Sequence, residues 1–160
     1  MSHVVKVNVV IKDLDALERA AELCGLELRR GQSIYRWYGR SVGDYPIPEG
    51  MTADQLGKCD HAILIPGNTH AYEVGVVQQP DGTYCLIWDF YAGGYGLKEK
   101  VGTDCAKLLE AYKQSIVEVA CDKLGWYYER QTNGDLIVYH PQGGTITVTF
   151  SGELDANGFS

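Results

Sequence analysis

"HAYEVGVVQQPDGTYCLIWDFY", residues 70–91, is the stretch whose reading decides the fold. Two β-prone runs flank Pro80-Asp81-Gly82. Proline presets the backbone angle for a turn, and glycine accepts the positive φ that follows. Residues 71–91 therefore read as a β-hairpin. Tyr84, Leu86, Trp88 and Phe90 share one of its faces, and Cys85, Ile87 and Asp89 share the other.

Working outward from the hairpin, "DHAILIPG" just before it reads as another strand. Residues 39–58, "GRSVGDYPIPEGMTADQLGK", hold four glycines and two prolines without periodicity, which marks a surface excursion. Within it Thr52 and Gln55 fit a capping box, and Met51 and Leu56 fit its hydrophobic staple, so one short helical turn is expected at 53–57. Further upstream, "LELRRGQSIYRWYG" reads as strand with a turn at Gly31. "LDALERAAELCG" is a helix capped by Asp13 and stopped by Gly25. The Val-rich start, with Val5, Val7, Val9 and Ile11 in alternation, is a central strand.

Downstream of the hairpin, "YAGGYGLKEKVG" (91–102) is a glycine loop. It leads into the longest helix, whose apolar stripe is Leu108, Leu109, Tyr112, Ile116, Val119 and Ala120. Gly125 ends that helix. Asn133-Gly134 between two β-prone runs is a second hairpin signal. "GGTITVTFSG" alternates like a half-buried strand. The reading is one α+β domain over 1–152, ordered β-α-β-β-β-β-α-β-β. A mainly antiparallel, curved sheet of about seven strands carries two helices on one face. Residues 153–160 read as a frayed tail.

The chain has 160 residues, 45% hydrophobic and 22% charged, with net charge -7 from 14 basic and 21 acidic side chains. That length suits one domain, and the acidic balance argues against nucleic-acid and anionic-membrane partners. Five widely spaced cysteines and no C-x-x-C point to reduced thiols and a cytoplasmic setting. No signal peptide and no membrane-length apolar run are expected.

The strand start after "MSH", the helix "IKDLDALERAAELCGLEL", the hairpin "YEVGVVQQPDGTY", the aromatic-acidic "WDFY" and a long helix bearing a tyrosine occur in this order. Together they resemble the uncharacterised chloroplast open-reading-frame family "thirty-five", found in plastids, cyanobacteria, other bacteria and phages. The resemblance spans about residues 1–38 and 60–140. It implies no catalytic residues, because the family has no established activity. It does imply an accessory role beside an AAA-type ATPase, since bacterial members often neighbour such a gene. The excursion at 41–58 departs from the pattern and suggests a specialised, phage-encoded relative.

The site chemistry is read from residue types. Glycines and Lys98 before a helix start meet part of what a phosphate cradle needs. The loop nonetheless fails both G-x-x-x-x-G-K-[ST] and G-x-G-x-x-G, so a plain strand-to-helix exit is the simpler reading. Eleven tyrosines and three tryptophans exceed the needs of a core this size. Tyrosines near loops can stack on a planar ligand and keep their hydroxyls wet. The expected ligand site is Arg36, Trp37, Tyr38, Arg40, Tyr91, Tyr95 and Lys98. Arg36, Arg40 and Lys98 would neutralise phosphate, and Trp37, Tyr38 and Tyr95 would stack.

Cys59, Asp60, His61 and His70 lack an established zinc spacing, so no metal and no cofactor are expected. Glu73 and Asp89 in neighbouring strands could pair for acid/base work, although carboxylates at such alternating positions more often face solvent. The leading expectation is a non-catalytic binding protein for a small anionic nucleotide-like molecule, used by a phage to sequester a host signalling nucleotide. One alternative is an interaction module partnering an AAA-type ATPase. A second is a small hydrolase using His61, His70 or Glu73. Exposed hairpin edges suggest a homo-oligomer.

Overall fold

The computed structural model describes residues 2–40 and 45–150. Part of the excursion and the expected tail at 153–160 lie outside them. The described strands are β1 (Val4–Ile11), β2 (Glu27–Arg30), β3 (His61–Leu64), β4 (Val74–Gln78), β5 (Tyr84–Asp89), β6 (Tyr127–Arg130), β7 (Leu136–Tyr139) and β8 (Thr145–Val148). The helices are α1 (Leu14–Leu23), α2 (Leu97–Val101) and α3 (Ala106–Leu124). The fold is α+β with antiparallel pairing throughout.

The strands divide between two sheets. A five-stranded sheet has the order β1-β5-β4-β3-β2, and β6-β7-β8 form a separate meander. The chain enters on one edge of the large sheet, crosses it through α1, and returns as the meander β2 to β5 until β5 pairs with β1. The second sheet does not extend the first, because α3 intervenes and the last strands fold against that helix.

The hairpin forms as its alternation demands. Gln79 and Thr83 close the turn, with the Gln79 N–H 2.6 Å from the Thr83 carbonyl. Asp81 accepts the Thr83 N–H at 3.0 Å. Leu86 and Trp88 face α1 and α3, together with Val74, Val76, Ile63 and Leu28. α1 contributes Ala16, Leu17, Ala20 and Ala21, and α3 contributes Leu108, Tyr112 and Val119. Fully burying a large aliphatic side chain contributes about 1.5–3 kcal/mol, so this layer supplies most of the driving force. Two hydrogen-bonding devices, one local and one from α3, fix the start of α1. Asp13 accepts the Ala16 N–H at 3.1 Å, and the buried Tyr112 hydroxyl accepts the Lys12 and Asp13 amides at 3.0 and 3.2 Å.

The opposite face of the large sheet is covered in part by residues 31–40 and 45–59 rather than by helices. Tyr35 and Leu56 pack there against Val4, Ala62 and Ile87, with Trp37, Met51, Cys59 and Val77 around them. Gly75 makes this approach feasible. A Cβ at that position would lie 2.5 Å from the Tyr35 ring. The described part of the excursion thus belongs to a second layer of the fold, and its short helical turn falls at Ala53–Gln55, where the Thr52 N–H meets Gln55 Oε1 at 2.8 Å.

The sequence expectation of a strand beyond Gly31 is corrected here. Ile34 makes one isolated bridge to Lys58, and the following amides are taken by other groups. Tyr35 N–H goes to the Gly57 carbonyl, Arg36 N–H to Glu73 and Tyr38 N–H to Asp89. With its donors satisfied singly, the segment has no ladder to join. No described helix is long and apolar enough to cross a membrane.

Candidate functional site

Asp89 ends β5 with no solvent exposure. A buried carboxylate must have its lone pairs filled. Its Oδ1 accepts the His3 N–H at 2.8 Å and the Tyr91 N–H at 3.1 Å, and its Oδ2 accepts the Tyr38 N–H at 3.2 Å. One side chain therefore joins the start of β1, the glycine loop and the segment 35–40. Glu73, also buried, does the same a little further along. It accepts the Arg36 N–H at 2.8 Å and the Gln32 side-chain amide at 3.1 Å. Both carboxylates face inward rather than into solvent, and both bind backbone.

The glycine loop leaves Asp89 as a left-handed turn. Ala92, Gly93, Gly94 and Tyr95 follow one another with φ of 51°, 66°, 65° and 55°. Left-handed backbone is easy for glycine but costs about 1–2 kcal/mol for other residues. Two non-glycine residues, Ala92 and Tyr95, hold it here. The turn is anchored by the Gly94 carbonyl, which accepts the Tyr72 N–H at 2.9 Å. Gly94 is buried against Trp88, and a Cβ on it would come within 3.1 Å of Leu97 and 3.4 Å of Trp88. The loop is therefore packed onto the sheet end, and α2 follows it immediately.

A connected set of rings surrounds this turn. His3 lies 5.1 Å from Tyr45, 5.3 Å from Phe90 and 5.4 Å from Tyr91. Tyr91 meets Tyr95 edge-on at 6.5 Å, and Tyr95 meets Tyr72 edge-on at 5.1 Å. Tyr95 is 50% exposed. Burial and the Asp89 charge push the Tyr72 phenol up to about 12, with Tyr95 and Tyr38 also in its field. Tyr38 packs at the edge of the main core, and the Arg40 guanidinium sits 5.5 Å over its ring, with a 3.2 Å bond to its hydroxyl. Lys98 stands against the turn at Gly93.

Of the seven residues expected from sequence, Tyr38, Arg40, Tyr91, Tyr95 and Lys98 gather around Asp89 and the left-handed turn. Trp37 does not join them, and Arg36 lies beside Tyr72 with its guanidinium turned to backbone carbonyls. The Arg36 guanidinium bonds the Ala71 carbonyl at 2.7 Å and lies 3.8 Å from Glu73. Trp37 belongs to the opposite layer, with its indole against Gly57. The sequence reading missed His3, Phe90 and Tyr72 as ring partners. The Val4–Asp89 pairing is what places His3 beside Phe90.

The other sequence candidates are dispersed. The Cys59 thiol donates to the Gln32 carbonyl at 3.1 Å, Asp60 accepts the Gln78 N–H at 2.7 Å, and His61 Nδ1 accepts the Gly31 N–H at 3.0 Å. His70 is exposed beside Asn68, whose Oδ1 accepts its N–H. Among the described residues no cluster of His, Cys, Asp and Glu could hold a metal ion. Burial raises all five thiols, Cys59 and Cys105 to about 12. A nucleophilic cysteine needs the opposite shift. Compared with known proteins, the chain matches no family model, no curated protein and no solved structure.

Proposed function

We propose that the protein is a non-catalytic binding protein for a small, planar, anionic molecule of nucleotide type, held on the ring cluster at the β1/β5 end of the large sheet. The observation that carries the reading is the exposed Tyr95 ring, presented by a strained left-handed turn between Tyr72 and Tyr91. Strain of this kind persists where the surroundings over-determine it, and it concentrates at ligand-holding segments. Arg40 stands over Tyr38 and the Lys98 stem packs on the turn at Gly93, which supports a role for both as cations for the phosphates of a stacked base. The carboxylates nearby are occupied by backbone amides, which fits binding better than proton transfer.

Calorimetric titration of the purified chain with a panel of nucleotides and their unphosphorylated nucleosides tests this. Nucleotides are expected to bind and nucleosides to bind far more weakly. Removing the Tyr95 ring (Tyr95→Ala) should weaken binding about tenfold or more, because one base–aromatic stack contributes about 1–3 kcal/mol. Silence across the panel, together with a native mass spectrum free of any small molecule, would overturn the proposal.

A further inference from the structure

The face of the large sheet opposite the helices is incompletely covered. Near the β4–β5 turn it forms the floor of a cleft of about 460 Å³. Val77 is the partly exposed apolar residue of this floor, with Cys85 and Ile87 buried beneath it, and Met51 and Pro80 stand at its walls. The volume falls within the roughly 300–1,000 Å³ of small-molecule sites. Two cations line the same space, Lys6 from β1 and Lys58 from the excursion. Lys6 is paired in register with Ile87, so its ammonium rises directly beside the apolar floor. Its one side-chain bond is a long 3.4 Å contact to Gln79 Oε1. Among the described residues neither lysine is in an ion pair, although Lys58 lies in the field of Asp54. The one carboxylate lining the cleft, Asp60, already accepts the Gln78 N–H at 2.7 Å. Lys6 also borders a second hollow of about 550 Å³ along β1, lined by Tyr45 to Glu49.

We infer that this cleft is a second binding site, for a small organic anion with an apolar body, such as a medium-chain carboxylate. Its head group lies between Lys6 and Lys58, and its body lies on Val77, Met51 and Pro80. Two ammonium groups beside an apolar wall are complementary to that chemistry. A neutral apolar molecule would leave both ammonium groups without an ion-pair partner, and an inorganic anion would leave Val77 and Met51 uncovered. The site lies on the face opposite α1 and α3 and shares no residue with the ring cluster.

The test uses the full chain labelled with nitrogen-15, with octanoate as probe and 1-octanol as its neutral counterpart. Octanoate is expected to shift the amides of residues 58–60, 77–79 and 85–87 saturably, and octanol to bind at least tenfold more weakly. Replacing both lysines (Lys6→Gln with Lys58→Gln) should weaken octanoate at least tenfold, while Lys6→Arg with Lys58→Arg retains it. Met51→Glu, which sits outside the sheet, removes an apolar contact from both probes and adds a negative charge, so it should weaken octanoate several-fold more than octanol. It serves as the readout if the double variant does not fold. Tyr95→Ala should leave octanoate binding intact, which separates this site from the ring cluster. Equal binding of octanol, shifts confined elsewhere, or no saturable response at millimolar octanoate would overturn the inference.

Discussion

At the scale of single residues, Asp89 is the group on which the site depends. Alternation along β5 places it opposite Trp88, and from sequence that position reads as solvent-facing. It is buried because the pairing with Val4 and the crossing of Tyr38 are long-range events that no local pattern encodes. Hydrogen bonds to a charged group contribute about 1.5–3 kcal/mol each, and Asp89 accepts three. Asp89→Asn replaces one acceptor oxygen with a donor that faces an N–H. The variant is expected to lose roughly 2–4 kcal/mol on this scale, read as a lowered urea midpoint, and to lose ligand binding at the rings with it. An unchanged midpoint would show that the carboxylate does not hold these segments together. The buried thiols give a pH dependence of definite sign. Cys59 and Cys105 rise from 9.0 to about 12, mainly through burial. The folded state then binds more protons than the unfolded chain above pH 9. Stability is therefore full below about pH 9 and falls as pH climbs toward 12. Thermal unfolding at pH 8 and pH 10.5 should show the lower midpoint at 10.5, and Cys105→Ala should reduce the difference.

At the scale of elements, the hairpin, α1 and α3 were legible because their signals are local: period-two alternation around Pro80-Asp81-Gly82, and an apolar stripe ended by Gly25 or Gly125. The stripe read on α3 holds for Leu108, Tyr112 and Val119 in the core, whereas Ala120 is exposed. The glycine loop was legible as a break, yet its handedness was not. Glycines permit positive φ, but Ala92 and Tyr95 adopt it only because Gly94 is pinned to Tyr72 and Trp88. This gives opposite expectations for two substitutions two residues apart. Ala92→Gly removes left-handed strain of about 1–2 kcal/mol and gives back part of it through the freer unfolded chain. Its net effect should be neutral to mildly stabilising. Gly94→Ala adds a methyl 3.1 Å from Leu97 at positive φ and should destabilise by about 1–3 kcal/mol, as overpacking with strain does. Equal effects of the two, measured by thermal unfolding, would mean that the turn is not held as described.

At the scale of the whole molecule, the division into two sheets was the part least visible in sequence. β6, β7 and β8 carry the same alternation as any strand, and nothing in their pattern says which sheet they join. What decides it is chemistry on the far side of α3. Glu118 is only 2% exposed. It bonds the Arg130 guanidinium of β6 at 3.0 Å through Nε and lies 3.6 Å from Arg19 of α1. Arg19 reaches on to Asp122 at 2.8 Å and to the Tyr128 hydroxyl at 3.3 Å. Gln114 bonds the Gly134 carbonyl at the hairpin turn, at 2.8 Å. The meander is thus docked on α3 by a buried carboxylate shared between two arginines, beside the buried Leu136 and Val138. Removing one partner of a fully buried ion pair costs about 3–5 kcal/mol. Both arginines reach solvent here, so Glu118→Gln should lose less, about 2 kcal/mol. The loss should be local. Amide hydrogen exchange across residues 127–148 is expected to speed up while β3, β4 and β5 keep their protection, because the apolar packing of α1 and α3 on those strands runs through Leu17, Leu108 and Tyr112 and does not use the Glu118–Arg130 bond. Uniform acceleration over both sheets would instead mean that the meander and the large sheet unfold as one unit and that Glu118 holds up the whole molecule.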